Sequence, residues 1–345
     1  MTVVSFCLSF IVVVLSFYLL IVGKALLIPM VIAFFIWYMI TVINGIFRKI
    51  SIRGRQLSNA LCFCASLVTF TVAGWIFLSL IGSEITQVVN AAQEYQVRLE
   101  KLIDRAFELF GQPDAPTIRQ MVSRINLSTL IPVVATAITN IASNAGVILI
   151  YLIFLVVEGN SFNEKIAALV GDARREKIVR TVIKRIEMDI RKYIGIKTLI
   201  SLLTAALSFF ILRIVGVDFA RFWACMIFIL NFIPTIGSII ATIFPCVLAL
   251  IQFESLYPFI VVAVGISSVQ FFIGNVFEPR IMGNTLNMSP LVILIALALW
   301  GSIWGIVGMF LCVPLMVIIM IVLAHFPQTR PIAILLSKDG HIIEP

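Results

Sequence analysis

Two apolar runs, Val3 to Val22 and Ala25 to Phe47, open the chain with only Gly23 and Lys24 between them. A helix needs about 20 apolar residues to cross the hydrocarbon core of a bilayer, and each run meets that length. Two more follow, Ser58 to Ile81 and Pro132 to Val157. A soluble fold could not hide so many: with 61% hydrophobic and 12% charged residues and a mean hydropathy of +1.12, the 345-residue chain has too little polar surface to cover a globule. The spacing therefore predicts an all-α, polytopic membrane protein. The first run could pass for a secretory leader, but it lacks a basic start, is longer than such segments usually are and runs into the second span, so it is expected to stay in the mature protein.

Charge sets the expected orientation. Arg48, Lys49, Arg53 and Arg55 lie between the second and third runs with no acid among them, which places this connector, and the N-terminus, on the cytoplasmic side. Residues 83–131 mix six acids with five bases and form an extracytoplasmic insert. Within it Ile85, Val88, Val89, Ala92, Leu99, Leu102, Ile103, Ala106 and Phe110 recur at helical spacing, predicting one long amphipathic helix up to Gly111 and a second, short one near Thr117 to Ile125. The stripe needs a cover: the membrane surface, that short helix or another subunit. Residues 158–192 are rich in Lys and Arg, with Ile178, Val182, Ile186 and Ile190 four apart, as in a cytoplasmic helix lying among anionic lipid headgroups. The net charge of +8 is spread over such connectors, so no nucleic-acid partner is expected.

The expected organisation is thus three spans in 1–82, the insert in 83–131, a fourth span in 132–157, the basic segment in 158–192, a core in 193–326 and a cytoplasmic tail in 327–345. The core starts with one clean span, Tyr193 to Val215, and then breaks up. Phe219 to Asn231 extends only about 20 Å at helical rise and runs into Phe-Ile-Pro-Thr-Ile-Gly. Ser289 to Trp300 is equally short and is followed by Gly301, Gly305 and Gly308. Leu230 to Gly237 with Pro245, and Leu299 to Gly305 with Pro314, share a spacing. Both pieces read as broken-helix hairpins, Phe219 to Phe253 and Ser289 to Leu323, of opposed orientation, which makes about eight spans and hairpins in all.

Backbone freed by Pro and Gly survives at membrane depth where it is buried in protein or lines a watery cavity. The expected pathway residues are therefore Asn231, Pro234, Thr235, Gly237 and Ser238 at the first tip, Gln270 and Asn275 on the following span, and Gly301 and Gly305 at the second tip. The polar groups among them either contact a solute or satisfy one another and the open backbone. Glu278 and Arg280 flank Pro279, which should stop the helix, and an acid–base pair there would cap a turn or serve as a gate or proton site. Arg213, Arg221 and Glu254, near segment ends, read as anchors. The six cysteines lie in apolar runs and read as packed or lipid-facing thiols. No phosphate-cradling loop, metal-ligand spacing or protease dyad occurs in the sequence, so neither an enzyme nor a cofactor is expected.

Three blocks, Phe232 to Pro245, Val269 to Gly283, and Ser289-Pro-Leu with Gly305 to Pro314, resemble the signature of the autoinducer-2 exporter family of permeases. The likeness covers nearly the whole chain. It implies a multi-pass transporter of the bacterial inner (cytoplasmic) membrane with both termini cytoplasmic, assembled as a homo-oligomer, with a pentamer as one form. Members are associated with export of the quorum-sensing signal autoinducer-2, others with sodium (lithium)/proton antiport. The stretch Asn275 to Leu336 is closer to the signal-exporting branch. The residues point the same way: amides and hydroxyls suit a small uncharged solute, whereas cation exchange needs carboxylates well inside spans, and none is evident. An oligomeric scaffold presenting the insert to a partner is the remaining alternative.

Overall fold

The computed structural model describes residues 3–52, 55–56, 58–109, 143–283 and 287–340. Among these the fold is helical apart from a two-residue strand pair, Ser51–Ile52 with Arg55–Gln56. The helices are α1 (Val3–Val22), α2 (Lys24–Phe47), α3 (Asn59–Leu109), α4 (Ala145–Val170), α5 (Ala173–Val215), α6 (Ala220–Leu230), α7 (Ile236–Phe253), α8 (Leu256–Phe272), α9 (Glu278–Met282), α10 (Pro290–His325) and α11 (Arg330–Leu336). Six of them contain stretches long and apolar enough to cross a membrane, and shorter apolar helices accompany them. The chain is a multi-pass, all-α membrane protein. The short helix expected near Thr117 to Ile125, and the first part of the span expected at Pro132 to Val157, lie outside the described residues.

Two helices are longer than their hydropathy suggests. α3 carries the third span straight into the insert, because between Gly82 and Leu109 no Pro or Gly interrupts a continuing apolar stripe. α5 likewise runs from the basic segment through the expected start of a span at Tyr193 without a break. The basic stretch is thus shared between the end of α4 and the first half of α5, and its part from Ala173 onward is continuous with the apolar half of that helix.

The chain divides into two compact units. The first comprises residues 1–67, 143–195 and 282–345. Here α2 packs on α4, Phe35 meets Phe310 edge-on at 5.1 Å, and Arg191 donates to the Thr41 carbonyl at 2.8 Å. The tail is pinned to the approach to α10, where Ser289 N–H donates to the Leu336 carbonyl and Lys338 N–H to the Asn287 carbonyl.

α10 does not run straight. Gly305 has φ 63° and ψ −141°, a backbone region open in practice to glycine alone. A Cβ on Gly308 would fall 1.9 Å from the Trp300 carbonyl oxygen, and one on Gly301 would fall 3.0 Å from the Met309 side chain. Residues eight apart stand about 12 Å apart in a straight helix. The limbs on either side of Gly305 therefore fold back on one another as a hairpin. Of the three glycines expected to interrupt this piece, only Gly305 leaves helical geometry.

The second unit comprises residues 68–142 and 196–281. Its core joins Leu212, Val217, Ala220, Leu248, Ala249, Ile251, Val262 and Ile266, and Tyr95, Leu99 and Leu102 of α3 pack against it. Among the described residues, Ile85, Val88, Leu99 and Leu102 of the amphipathic stripe are thus covered by this chain's own helices. Nearer the start of α3, Ile81 and Val88 pack on Phe222 and Met226 of α6. The six cysteines are free thiols.

Candidate functional site

The first hairpin, α6–α7, lies in the second unit. Its chain turns through 231–235 by successive backbone bonds: Asn231 N–H to Ile227, Phe232 N–H to Ile229 and Ile233 N–H to Leu230. A γ-turn completes the reversal. Thr235 adopts φ 59° and ψ −62°, and Ile236 N–H donates to the Pro234 carbonyl at 2.6 Å. That conformation is rare and strained for a β-branched residue. Gly237 then slots against the end of α6, where a Cβ would lie 1.8 Å from the Leu230 oxygen.

The turn presents Asn231 inward. Its side chain is buried, and its amide nitrogen donates to Ser201 Oγ at 3.1 Å. Ser201 belongs to a stripe on α5 that hydropathy conceals: Lys197, Ser201, Thr204 and Ser208, at spacings of four, three and four, all no more than 6% exposed. The stripe covers about 16 Å of helix. Small side chains let the hairpin approach, and Ala205, one residue along, packs with Ile227 and Ala241. Thr204 returns its hydroxyl to the Ile200 carbonyl, whereas Ser208 Oγ is buried with no hydrogen-bond partner among the described residues.

At one end of the stripe lies an ion pair. Lys197 Nζ donates to Glu278 Oε1 at 2.6 Å, with the two side chains 7% and 23% exposed. Glu278 is placed there by a local irregularity. α8 passes into a π-turn, Ile273–Phe277, closed by Glu278 N–H donating to the Ile273 carbonyl, and α9 begins directly. The widened turn lets helix continue through Pro279, contrary to the expected stop, because a proline near the start of a helix lacks only an N–H that would be unpaired anyway. Arg280 is not the partner of Glu278. Two residues apart on a helix, they point to different sides, and the mate comes from α5.

α8 and α5 run antiparallel, with Gly265 against Ile211 and Glu278 on Lys197. That register sets Gln270 level with the turn Thr204–Ser208. Its amide nitrogen is buried without a hydrogen-bond partner among the described residues. Asn275 is exposed, and its amide donates to the Phe271 carbonyl of its own helix. Ser238 and Thr242 back-bond within the hairpin, to the Thr235 and Ser238 carbonyls. Asn231 and Glu278 thus meet α5 directly and Gln270 stands level with it, while Gly301 and Gly305 belong to the first unit. Among the described residues no group of three or more His, Cys, Asp or Glu could hold a metal ion.

Against this geometry the comparisons are direct. Residues 8–328 match the AI-2E family transporter profile. The chain belongs to the AI-2E transporter family. It is 27% identical over 316 residues to the AI-2 transport protein TqsA of Escherichia coli K12, covering 90% of this chain and 89% of that one. A candidate transport protein of Haemophilus influenzae is 29% identical over 293 residues, covering 82% and 83%. As in any transporter, the residues that matter are those that can meet a small solute inside the membrane, and in this AI-2E family member the α5 stripe is where buried polar groups gather.

The sequence reading missed Lys197, Ser201, Thr204 and Ser208 because it took Tyr193 to Val215 as one clean span. Their helical spacing was the available signal. Glu278 lies four residues from the end of the apolar stretch Leu256–Met282, and Glu84, assigned to the insert, is 6% exposed four residues from the end of Asn59–Val88. Arg221, expected as an anchor, pairs with Glu84 at 3.1 Å.

Proposed function

We propose that this transporter exports a small, uncharged polar solute, autoinducer-2 or a molecule like it, across the bacterial inner membrane along the buried face of α5, without nucleotide hydrolysis. The observation that carries this is the line of hydroxyls and amides, Ser201, Thr204, Ser208, Asn231 and Gln270, inside helices that otherwise bury apolar side chains. Polar groups at such depth are costly unless paired or used, and Ser208 and Gln270 keep donors available for a guest. Neutral donors and acceptors suit a hydroxylated molecule. The strained turn at Thr235 is a second sign of use, since such strain persists where surrounding structure enforces it.

Energy then comes from the solute's own gradient or from an ion. The Lys197–Glu278 pair favours the ion, and it supports sodium (lithium)/proton antiport as a second reading, because a proton arriving at Glu278 would release Lys197 and loosen α5 from the π-turn.

Proteoliposomes loaded with autoinducer-2, or with a pH indicator and sodium, separate the two readings. Export is expected to fall about tenfold in Asn231→Leu, the equivalent of about 1.4 kcal/mol of lost interaction. Efflux unchanged by Asn231→Leu would remove the α5 route. Sodium-driven proton flux that Glu278→Gln abolishes, with no autoinducer-2 efflux, would establish the antiporter instead.

A further inference from the structure

Beyond Ser208 the α5 stripe ends at a pocket of about 580 Å³. The end of α5 contributes Phe209 and Arg213, the following link Asp218 and Phe219, and α3 contributes Glu84 and Gln87. All of them belong to the second unit.

The acids of this pocket are held in place. Glu84, its side chain 9% exposed, takes the Arg221 guanidinium at 3.1 Å. Asp218 Oδ2 accepts the Tyr95 hydroxyl at 2.5 Å, and its backbone N–H donates to the Gln252 side-chain oxygen at 2.7 Å. Gln252 in turn donates to the Gly216 carbonyl at 2.9 Å, tying the link to the end of α7. Burial first, and then the bond to Asp218, raise the Tyr95 pKa, so this phenol stays a donor at neutral pH.

Two wall groups are less committed. Arg213 is exposed to the pocket and has no partner among the described residues. Gln87 gives its amide nitrogen to the Ser83 carbonyl at 3.4 Å, which leaves its oxygen open.

Two acids and two guanidiniums balance, so a ligand with net charge gains little. A ligand with several neutral hydroxyls gains more, since each hydroxyl can accept from an arginine and donate to a carboxylate or an amide oxygen. The Phe209 and Phe219 rings offer apolar faces for its C–H edges. We propose that this pocket is a binding site for a small, uncharged, polyhydroxylated solute, the place where the transported molecule first meets or finally leaves the α5 stripe. The assignment rests on the transport function proposed above and narrows its substrate class.

The test is equilibrium binding to the purified full-length protein in detergent, read by saturation-transfer NMR with D-ribose as the polyol and L-lactate as a charged control. Ribose is expected to bind in preference to lactate. Arg213→Leu and Gln87→Leu, each an exposed position, are expected to weaken ribose binding with the melting temperature unchanged, Arg213→Leu about tenfold or more for a charge-assisted hydrogen bond and Gln87→Leu about fivefold for a neutral one. Absence of ribose binding, stronger binding of lactate, or ribose binding indifferent to both wall variants would each overturn the pocket. Autoinducer-2 efflux unaffected by Asn231→Leu, together with ribose binding that depends on Arg213 and Gln87, would instead remove the α5 route and leave the pocket standing.

Discussion

The two hairpins solve the same steric problem differently. In each, a glycine of the returning limb lies against a carbonyl at the end of the outgoing limb: Gly237 on Leu230, Gly308 on Trp300. The α10 hairpin reverses at one residue, Gly305, and its tip is aromatic, with Trp300 and Trp304 5.2 Å apart and the Trp304 indole donating to the Leu20 carbonyl. The α6–α7 hairpin uses residues 231–235, ends on a strained Thr235 and buries an amide. A single glycine suffices to turn a helix back. The extra length, strain and polarity of the first hairpin therefore go beyond what reversal requires, and they place Asn231 on the α5 stripe.

The largest expected effect tests the shared device. Gly237→Ala and Gly308→Ala each drive a methyl into backbone, so each should cost on the order of 4 kcal/mol, in the range of severe core disruption. Size-exclusion chromatography and thermal unfolding in detergent would show aggregated or strongly destabilised protein for both. If one of the two behaves like wild type, the hairpins are not closed by the same contact.

That device also shows what can be read from sequence. The pairing of Leu230 to Gly237 with Leu299 to Gly305 correctly marks two turned pieces but matches the wrong glycines: in space Gly308 does the work of Gly237, and Gly305 stands where Thr235 stands, at the positive-φ residue. A repeat in spacing cannot distinguish a close approach from a backbone turn. α1 and α2 are legible almost to the residue because an unbroken apolar run bounded by Gly23 leaves no alternative. The α5 stripe is not, because Ser and Thr every three or four residues barely alter the mean hydropathy of a window. Glu278's partner is 81 positions away along the chain, and no local rule connects them.

The next effect has opposite signs in the two turns. Thr235→Gly removes the strain of a β-branched residue at φ 59° and should stabilise the protein by about 1 kcal/mol, while Gly305→Ala introduces strain at φ 63° and should destabilise it by about 2 kcal/mol. Melting temperatures in one detergent decide this. If Thr235→Gly also slows efflux, the strain is part of the transport cycle. If it destabilises, the γ-turn is held by contacts of the threonine side chain, and the contrast between a costly turn and a minimal one fails.

The smallest effect separates architecture from transport. Trp304→Phe keeps an aromatic ring at the α10 tip but deletes the indole N–H that donates to Leu20 at 3.1 Å. A single neutral hydrogen bond is worth about 1 kcal/mol, so the melting temperature should fall slightly. Efflux, measured beside Asn231→Leu in the same vesicles, should stay within about twofold of wild type, since less than about half a kcal/mol then separates the two. The pairing of measurements matters more than either alone, because a hydrogen bond that only braces a fold changes stability without changing turnover, and one that meets the solute does the reverse. A loss of efflux in Trp304→Phe equal to that in Asn231→Leu would mean that the aromatic tip is as much a part of the route as the polar one.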